Sequence, residues 1–589
     1  MIRATTRAGR IAAIAVSALA LLPVAAQAAR GADTIYRDAT VLTVDDQKPR
    51  AQAVAIRDGL IVGVGSDREI LARWGQGARI VDLKGKTLVP GFVDGHSHIG
   101  DLVSLWRLPD LSPPPVGATR TIADVQRILG AALAKAAPAP GKVLLGVGYD
   151  DSLLAERRHP SKADLDAVST SQPICIMHVS GHMARCNSAA LTLIGVTRDT
   201  PDPVGGHLGR DAQGEPDGVI EENALAFVMK AAPIPTYAQA VQDFAEIQTY
   251  YAAQGYTTAQ DGATSNAVTF QLLQDGQRDN SLILDIIAYP RWDVIDAAVA
   301  KRGLQIGAPF KNHLKFAGVK VIGDGSPQGK TAWLKEPYVH PPHGAPLDYR
   351  GFPNVPPADL AKLYDTYLGR GWQVQTHCNG DACIDSVIDA LGKAEAAHPG
   401  AKDTRPVVIH SQVTRADQLQ AYAKLGVLPS FFAEHTYYWG DWHRTETLGP
   451  DRAAFISPTA QALKDGVRFS LHSDAPVVPP VAMHVMWSAV NRVTRSGYPL
   501  GPDQRLTPME ALRAITLWPA WQQHEETTRG SITVGKQADL VVLEANPLTV
   551  EPMSIRNIKV LLTVKSGREI FRLGETPVAR RPFAGEPVS

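Results

Sequence analysis

The chain has 589 residues, 44% hydrophobic and 20% charged, a composition typical of a folded protein with more than one domain. Lysine and arginine number 59 and equal aspartate and glutamate, so the charge balance does not favour a nucleic-acid-binding protein, which usually carries excess positive charge. The 50 glycines and 43 prolines fit a fold with many junctions between strands and loops.

The first 28 residues have the pattern of a secretory signal peptide. Three arginines precede an apolar run from Ile11 to Leu22, and Ala26 to Ala28 form an A-x-A cleavage pattern. The apolar run is too short to span a bilayer, and no later segment is long enough, so we expect no stable membrane insertion. The sequence therefore predicts cleavage after Ala28 and an exported protein, periplasmic if the source is a Gram-negative bacterium.

Both ends of the remaining chain alternate short apolar strands with turns. Residues 34–90 and 529–572 are enriched in β-branched residues and are punctuated by Gly or Asp-Gly. We expect the two ends to pair into one small β-sandwich domain, composed of residues 29–90 and 525–589.

Eight strand candidates lie between these ends. They are Phe92–His98, Tyr256–Gly262, Ile283–Tyr289, Leu314–Ile322, Gln373–His377, Pro406–His410, Val427–Phe432 and Arg468–Asp474. Eight parallel strands with crossover helices close into a TIM-type (β/α)8 barrel, so the predicted fold class is α/β and the barrel spans residues 91–524. Residues 101–250 do not follow the alternation, and we predict that they form an insertion over the barrel mouth after the first strand.

The motif GFVDGHSHIG, residues 91–100, carries the strongest chemical signal. Its two histidines, His96 and His98, are two positions apart at a strand end, which directs both imidazoles to one face and suits a metal such as zinc. A lone H-x-H is weak evidence, but further candidate ligands follow at the ends of later strands. They are Lys320, His377, His410 and Asp474. Because active groups of TIM-type barrels lie at the C-terminal ends of strands, we expect all of these side chains to converge.

Five motifs carry a resemblance to a known family. GFVDGHSH, GVKVIGDGS, QTHCNGDA, VIHSQ and HSDAPV resemble the amidohydrolase superfamily, and within it the amidohydrolase family 3 branch that includes N-substituted formamide deformylases. The resemblance covers nearly the whole mature chain. It implies two zinc ions per chain. His96 and His98 would bind the more buried metal, and Asp474 would bind the same metal and act as general base.

The resemblance implies that His377 and His410 bind the second metal. It also implies that Lys320 is carboxylated by carbon dioxide and bridges both ions, because a carbamate is anionic and offers two oxygens where an ammonium would repel a cation. The alternative for Lys320 is a salt bridge with Asp324, in which case the site could hold a single metal.

The predicted insertion contains further candidate binding residues. His178 and His182 flank a Gly-containing turn in HVSGHMARC, and either could contact substrate or an oxyanion. Glu221 in GVIEEN is an acidic candidate for substrate binding. The alternatives are a structural turn for the histidines and a solvated helix face for the glutamate.

Aromatic residues follow the seventh strand candidate. Tyr437 and Trp439 could line an apolar substrate pocket, or they could pack the loop that carries them. His472 stands where the relatives often have a small residue, so it could crowd the site or contact substrate.

The four cysteines leave the disulfide state open. An even number in an exported protein permits disulfides, and a Cys175–Cys186 bond is the favoured pair. Buried free thiols are the alternative, and for Cys378 and Cys383 the sequence does not distinguish the two.

The predicted function is metal-dependent hydrolysis of a non-peptide C–N bond, in an amide, formamide or cyclic amide, of a small-molecule substrate. A lactonase or esterase on the same metal site and an inactive exported binding or regulatory protein are the alternatives. The sequence lacks the G-x-S-x-G pattern around a plausible nucleophile, which disfavours a serine hydrolase. It leaves a homo-oligomer open.

Overall fold

The computed structural model describes residues 31–342, 344–400 and 403–578. The predicted signal peptide, residues 1–28, lies outside these ranges and stays a prediction, as does export. Within the described ranges, no helix combines the length and the apolar character that crossing a membrane requires.

Strands occupy all eight positions predicted between residues 91 and 474, and the fourth is split at Ala317. They form two parallel sheets. The first contains Phe92–Val93, Tyr256–Thr264, Asp285–Pro290 and Leu314–Phe316, and the second contains Gly318–Ile322, Gln373–Cys378, Val407–His410, Leu428–Phe431 and Ser470–Leu471. Nearly all of these residues are buried, which is typical of parallel strands covered on both faces.

Backbone contacts link the two sheets at both of their edges. A parallel bridge joins Arg291 to Lys320. At the other edge, the Asp474 amide donates to the His96 carbonyl at 3.3 Å, and the His98 amide donates to the Ala475 carbonyl at 2.8 Å. These contacts bring the first and last strands together and place the H-x-H motif beside Asp474.

Helices cover the parallel strands, and several of them begin at a capping side chain or end at a glycine. Asn266 caps one helix by accepting from the Thr269 amide, and Gly303 and Gly426 end two others in the left-handed conformation. The helices between the strands are Tyr237–Ala253, Ala267–Asp279, Ile295–Arg302, Pro357–Gly369, Asp381–Ala397, Ala416–Leu425 and Thr459–Lys464. The seventh strand is followed by His435–Tyr438, Gly440–Trp442, His443–Thr447 and Pro450–Ala454, and the eighth by Ala482–Asn491, Pro502–Gln504, Pro508–Ala514 and Leu517–Gln522.

The two chain ends share one sheet. Its six strands, in spatial order, are Arg568–Arg572, Val560–Lys565, Leu540–Leu543, Thr87–Pro90, Thr40–Leu42 and Arg50–Ala51. A second sheet contains Leu60–Gly65, Ala53–Arg57, Thr34–Arg37 and Arg79–Asp82, and the helix Asp67–Trp74 packs beside it. Tyr36, Ile56, Leu540 and Val564 belong to one apolar core that joins the two sheets. The β-sandwich domain composed of residues 29–90 and 525–589 stays a prediction.

Residues 101–250 contain their own five-stranded sheet, with the strands Gly206–Arg210, Pro216–Glu222, Met183–Cys186, Ile174–His178 and Leu144–Tyr149 in spatial order. The helices of this segment are Leu102–Leu105, Ile122–Lys135, Lys162–Asp166, Ser188–Ile194 and Leu225–Ala231. We call these five strands the inserted sheet. A contact between His182 and His377 brings this sheet against the parallel strands.

Candidate metal centre

Four of the predicted ligands converge on one another. The first strand ends at Val93, so His96 and His98 lie just beyond it rather than on it. Their Nε2 atoms are nevertheless 3.4 and 3.3 Å from the same oxygen, Asp474 Oδ1. The Nζ of Lys320 lies 3.0 Å from His96 Nε2.

His410 and His377 complete the group. His410 Nε2 is 3.8 Å from Asp474 Oδ2, and the ring centres of His377 and His410 are 4.5 Å apart. His96, His410 and Asp474 offer ligand atoms that all lie within 4.8 Å of one another. The structure therefore brings all six predicted side chains into one buried cluster, which we call the six-residue cluster.

Two of these residues have a left-handed backbone. His410 has a φ of 69° and Asp474 a φ of 56°, values that are uncommon for residues other than glycine. Such conformations concentrate at functional sites, where the surrounding structure holds them in place.

His96 is oriented by residues that the sequence did not point to. Gln260 Oε1 lies 2.7 Å from His96 Nδ1, and the Gln260 amide nitrogen donates to the Gly95 carbonyl at 3.0 Å. The amide oxygen can only accept, so Nδ1 carries the proton and the Nε2 lone pair faces Lys320 and Asp474. Gly262 makes room for this ring, since a Cβ there would lie 2.2 Å from His96 Cε1.

His472 supports His410. Its Nε2 lies 3.1 Å from His410 Nδ1, and its Nδ1 lies 2.9 Å from the Ser430 hydroxyl. Burial lowers the pKa of His472 to about 3, so the ring is neutral. His472 is therefore placed to fix the orientation of His410.

Lys320 is buried and has the imidazole of His96 beside its amine. Burial lowers the pKa of Lys320 to about 7, which makes the neutral amine accessible near neutral pH. Asp324, the alternative partner, instead accepts hydrogen bonds from the backbone amides of Trp333, Asn379 and Gly380.

His182, from a turn between two strands of the inserted sheet, reaches the six-residue cluster. Its Nε2 lies 3.1 Å from His377 Nε2, and its Nδ1 lies 2.8 Å from Glu222 Oε2. Glu221, the predicted acidic residue, lies on the opposite face of its strand and pairs across the sheet with His207. Side chains alternate along a strand, so only one of two consecutive glutamates can face the site.

The comparisons with known proteins follow this geometry. The profile described as "Amidohydrolase family" matches residues 79–571. The chain belongs to the amidohydrolase family. It is a hydrolase that acts on carbon–nitrogen bonds other than peptide bonds.

Two relatives resemble this amidohydrolase over most of their length. The N-substituted formamide deformylase of Arthrobacter pascens is 29% identical over 555 residues, which cover 91% of this chain and 97% of the relative. The putative amidohydrolase YtcJ of Bacillus subtilis is 25% identical over 557 residues, which cover 91% of this chain and 99% of the relative. The solved structure of an uncharacterized metal-dependent hydrolase from Pyrococcus horikoshii matches with a TM-score of 0.68 at 23% identity, over 88% of this chain and 99% of that one. It shows the fold.

His178 belongs to a polar group that is separate from the six-residue cluster. Its Nε2 lies 3.2 Å from Asp151 Oδ1, and its Nδ1 lies 2.8 Å from the Ser180 hydroxyl. In the part of the chain that the structure describes, these contacts lie within the inserted sheet and its loops. A direct role for His178 at the six-residue cluster stays a prediction.

The aromatic residues after the seventh strand divide between two environments. Tyr437 packs against His484 and Trp487, with ring centres 5.0 and 5.3 Å away. Trp439 donates its indole hydrogen to Asp150 Oδ2 at 2.7 Å and lines a pocket between this loop and the insertion. The other residues of this pocket include Pro113, Leu153, Val179, Tyr438, Val477 and Val478.

Both cysteine pairs form disulfides in the structure. Cys175 and Cys186 are directly opposed on neighbouring antiparallel strands, with Cα atoms 4.2 Å apart, which confirms the favoured pair. Cys378 and Cys383 form a second disulfide, for which the sequence left the state open. The second bond joins the end of the strand that carries His377 to the helix that follows it.

Proposed function

We propose that this amidohydrolase hydrolyses a non-peptide C–N bond of a small amide, formamide or cyclic amide with the help of two divalent metal ions, most consistent with zinc. The observation that carries the proposal is the convergence of three imidazoles, His96, His98 and His410, on the Asp474 carboxylate. The Lys320 amine lies beside His96 in this group, and the His377 ring lies beside His410. Nitrogen-rich ligand sets of this kind suit zinc and similar borderline metals.

The residues fit a metal. Asp474 Oδ1 is buried and has no hydrogen-bond partner among the described residues, although it lies 3.3 Å from His98 Nε2. A buried carboxylate oxygen left in this state is costly, and a cation between it and the imidazoles would remove that cost. A divalent metal held here would supply a water whose pKa is lowered toward about 7 and would polarise the scissile carbonyl.

The proposed ligands divide between two positions. His96, His98 and Asp474 would hold the first metal, His377 and His410 the second, and a carbamate on Lys320 would join the two. Carbamate formation bonds the nitrogen of the neutral lysine amine to the carbon of carbon dioxide and releases one proton, so a neutral amine becomes an anion. A buried amine beside His96, with Asp324 occupied elsewhere, supports this assignment.

Asp474 is the proposed general base. Its carboxylate would take a proton from the attacking water and deliver it to the leaving nitrogen, so that the amine departs neutral. Its amide donates to the His96 carbonyl at 3.3 Å, and its left-handed backbone directs the side chain toward the imidazoles. Gln260 and His472 would keep the lone pairs of their partner imidazoles directed at the metals.

Apolar side chains beside Trp439 favour an apolar substituent on the substrate, but the pocket that they line together with Asp150 and Arg495 measures about 20 Å³ and must widen to admit one. The Val477 amide donates to the Asp474 carbonyl at 2.8 Å, so the apolar wall at Val477 and Val478 begins three residues from the proposed base. The name of the Arthrobacter pascens relative, an N-substituted formamide deformylase, supports the same substrate class. The same site could also open a lactone or an ester, and this remains the second candidate.

Two structural inferences belong to the same proposal. We infer that the two parallel sheets form one closed eight-stranded barrel, since backbone contacts join them at both edges. We also infer that residues 1–28 are removed on export, and that the mature enzyme works in the periplasm.

The experiment is a matched substrate panel on the mature, zinc-reconstituted protein. It pairs N-substituted formamides, N-acyl amines and cyclic amides with the corresponding esters and lactones, and it measures the released amine or acid. We expect the largest kcat/KM on an amide with an apolar N-substituent, and loss of turnover in Asp474→Asn. Faster turnover of the esters would favour the lactonase or esterase, and no turnover at all would favour a binding protein.

A further inference from the structure

We infer that His182, from the turn between the strands Ile174–His178 and Met183–Cys186 of the inserted sheet, is a third imidazole ligand of the second metal, beside His377 and His410. The inference rests on the proposed metal site and adds a ligand that does not come from the parallel strands. Residues 101–250 would then supply a metal ligand in addition to lying over the site.

The distance between the two nitrogens suits a shared metal. His182 Nε2 lies 3.1 Å from His377 Nε2, and the ring planes meet at 52°. Two nitrogens bound at about 2.0–2.1 Å in tetrahedral geometry lie about 3.3 Å apart, close to the observed separation. The His377 ring in turn lies 4.5 Å from the His410 ring, centre to centre.

The hydrogen-bond partner of His182 leaves a lone pair on Nε2 in the neutral ring. Its Nδ1 lies 2.8 Å from Glu222 Oε2, and a carboxylate can only accept, so Nδ1 carries the hydrogen. A carboxylate behind a histidine in this way is the usual support for a metal-binding imidazole.

The structure holds this carboxylate firmly. The Asn354 side chain donates to Glu222 Oε2 at 2.8 Å, and Glu222 has a left-handed φ of 53°. Gly325 provides space for it, because a Cβ there would lie 2.0 Å from Glu222 Oε1. The position of the Glu222 carboxylate therefore depends on its own left-handed backbone and on the absence of a side chain at Gly325.

His377 also faces a carboxylate, from the opposite side, but this contact lacks hydrogen-bond geometry. Its Nδ1 lies 3.3 Å from Asp324 Oδ1, on a carboxylate that accepts backbone amide hydrogens. The Asn379 side-chain amide approaches His377 Nε2 at 3.4 Å, as a donor would approach a lone pair. When both rings are neutral and carry their hydrogen on Nδ1, two Nε2 lone pairs face each other at 3.1 Å. That arrangement repels unless a metal ion lies beside both nitrogens or a further proton turns the contact into a hydrogen bond.

The test compares His182→Ala with His207→Ala, a control on the inserted sheet whose exposed imidazole pairs with Asp202. Both are titrated with zinc at buffered free concentrations, and both are loaded with cadmium-113 for NMR. We expect His182→Ala to keep the first metal, to bind the second at least tenfold more weakly, and to shift one of two cadmium resonances. The control should match the unaltered protein in both measurements.

Glu222→Gln is the second variant, because it keeps the shape of the side chain and removes the negative charge that supports His182 and also accepts from Asn354. We expect it to weaken the second metal 10- to 100-fold, the usual effect of losing such a support. Two metals bound with unaltered affinity in both variants would overturn the inference, and so would an unshifted cadmium spectrum. A protein that binds no metal before substitution would instead contradict the proposed function, so the two failures are distinguishable.

Discussion

The side-chain nitrogen of Lys320 lies 3.0 Å from His96 Nε2, although the two residues are 224 positions apart in sequence. An ammonium facing an imidazole lone pair in a buried site would be hydrogen-bonded but would oppose any metal there. Conversion of the amine to a carbamate removes this conflict. This single contact therefore links the buried lysine to the metal-dependent reaction that we propose.

Replacing the proposed base should stop turnover and spare the fold. Asp474→Asn removes the proton acceptor but keeps the size of the side chain, and general acid–base catalysis contributes about 10²- to 10⁴-fold to rate. We expect kcat to fall by at least 10²-fold, measured on the best amide of the panel. The thermal unfolding midpoint should stay close to that of the unaltered protein. Near-normal kcat would refute the role of Asp474.

Gly262 should be required for the position of His96. Gly262→Ala would place a Cβ 2.2 Å from His96 Cε1, so the ring or the strand must move. We expect loss of the first metal in a zinc titration, with activity falling alongside it. The control is Gly130→Ala, where a Cβ meets nothing within 4 Å and helix propensity favours alanine. Unchanged zinc binding in Gly262→Ala would show that the site tolerates this crowding.

His472 should act through His410. His472→Ala removes the partner 3.1 Å from His410 Nδ1, and we expect zinc affinity to fall by about 10- to 100-fold. His472→Gln keeps a side-chain oxygen able to accept from His410 and should recover part of the affinity. If the two variants bind zinc equally well, His472 is not a support of His410.

A buried ion cluster should tie the third parallel strand to the C-terminal segment. Lys565 Nζ lies 2.6 Å from Asp285 Oδ2, which Arg529 also contacts. Removing one partner of a buried pair costs about 3–5 kcal/mol, so Asp285→Asn should lower the free energy of unfolding by that order. Urea denaturation measures it. Asp365→Asn, in an exposed pair with His398, is the control and should change stability little.

The same cluster predicts a pH dependence. Burial alone would raise the pKa of Asp285, but Arg529 and Lys565 outweigh it and hold the pKa well below its usual range. A carboxyl with a depressed folded pKa stabilises the protein above its unfolded value of about 3.9 and loses that contribution as pH falls below it. The stability difference between Asp285→Asn and the unaltered protein should therefore shrink below about pH 4. A constant difference would contradict this.

The sequence located the six-residue cluster because its members follow recognisable strands. His377 is the last but one residue of a buried strand and His410 is the last residue of the next, and parallel strands bring such ends together. Glu222 was within reach of the same reasoning. It shares a strand face with the apolar Ile220, so alternation indicates Glu222, rather than Glu221, as the inward residue.

Other parts of the site had no local signal. Gln260 orients His96 from a strand 164 positions away, and a glutamine in a buried strand has no pattern that marks it as a support. Gly262 has no local signal either, since its role depends on the His96 ring, which lies beyond the end of another strand. His472 was noticed only as an oddity, because its contact with His410 depends on tertiary packing.

The most direct test of the central claim is elemental metal analysis of the mature protein beside a Lys320→Ala variant. We predict about two zinc ions per chain, falling in the variant because the bridging group is lost. The absence of stoichiometric metal, even after reconstitution with zinc and bicarbonate, would contradict the proposed two-metal hydrolase and favour a binding protein.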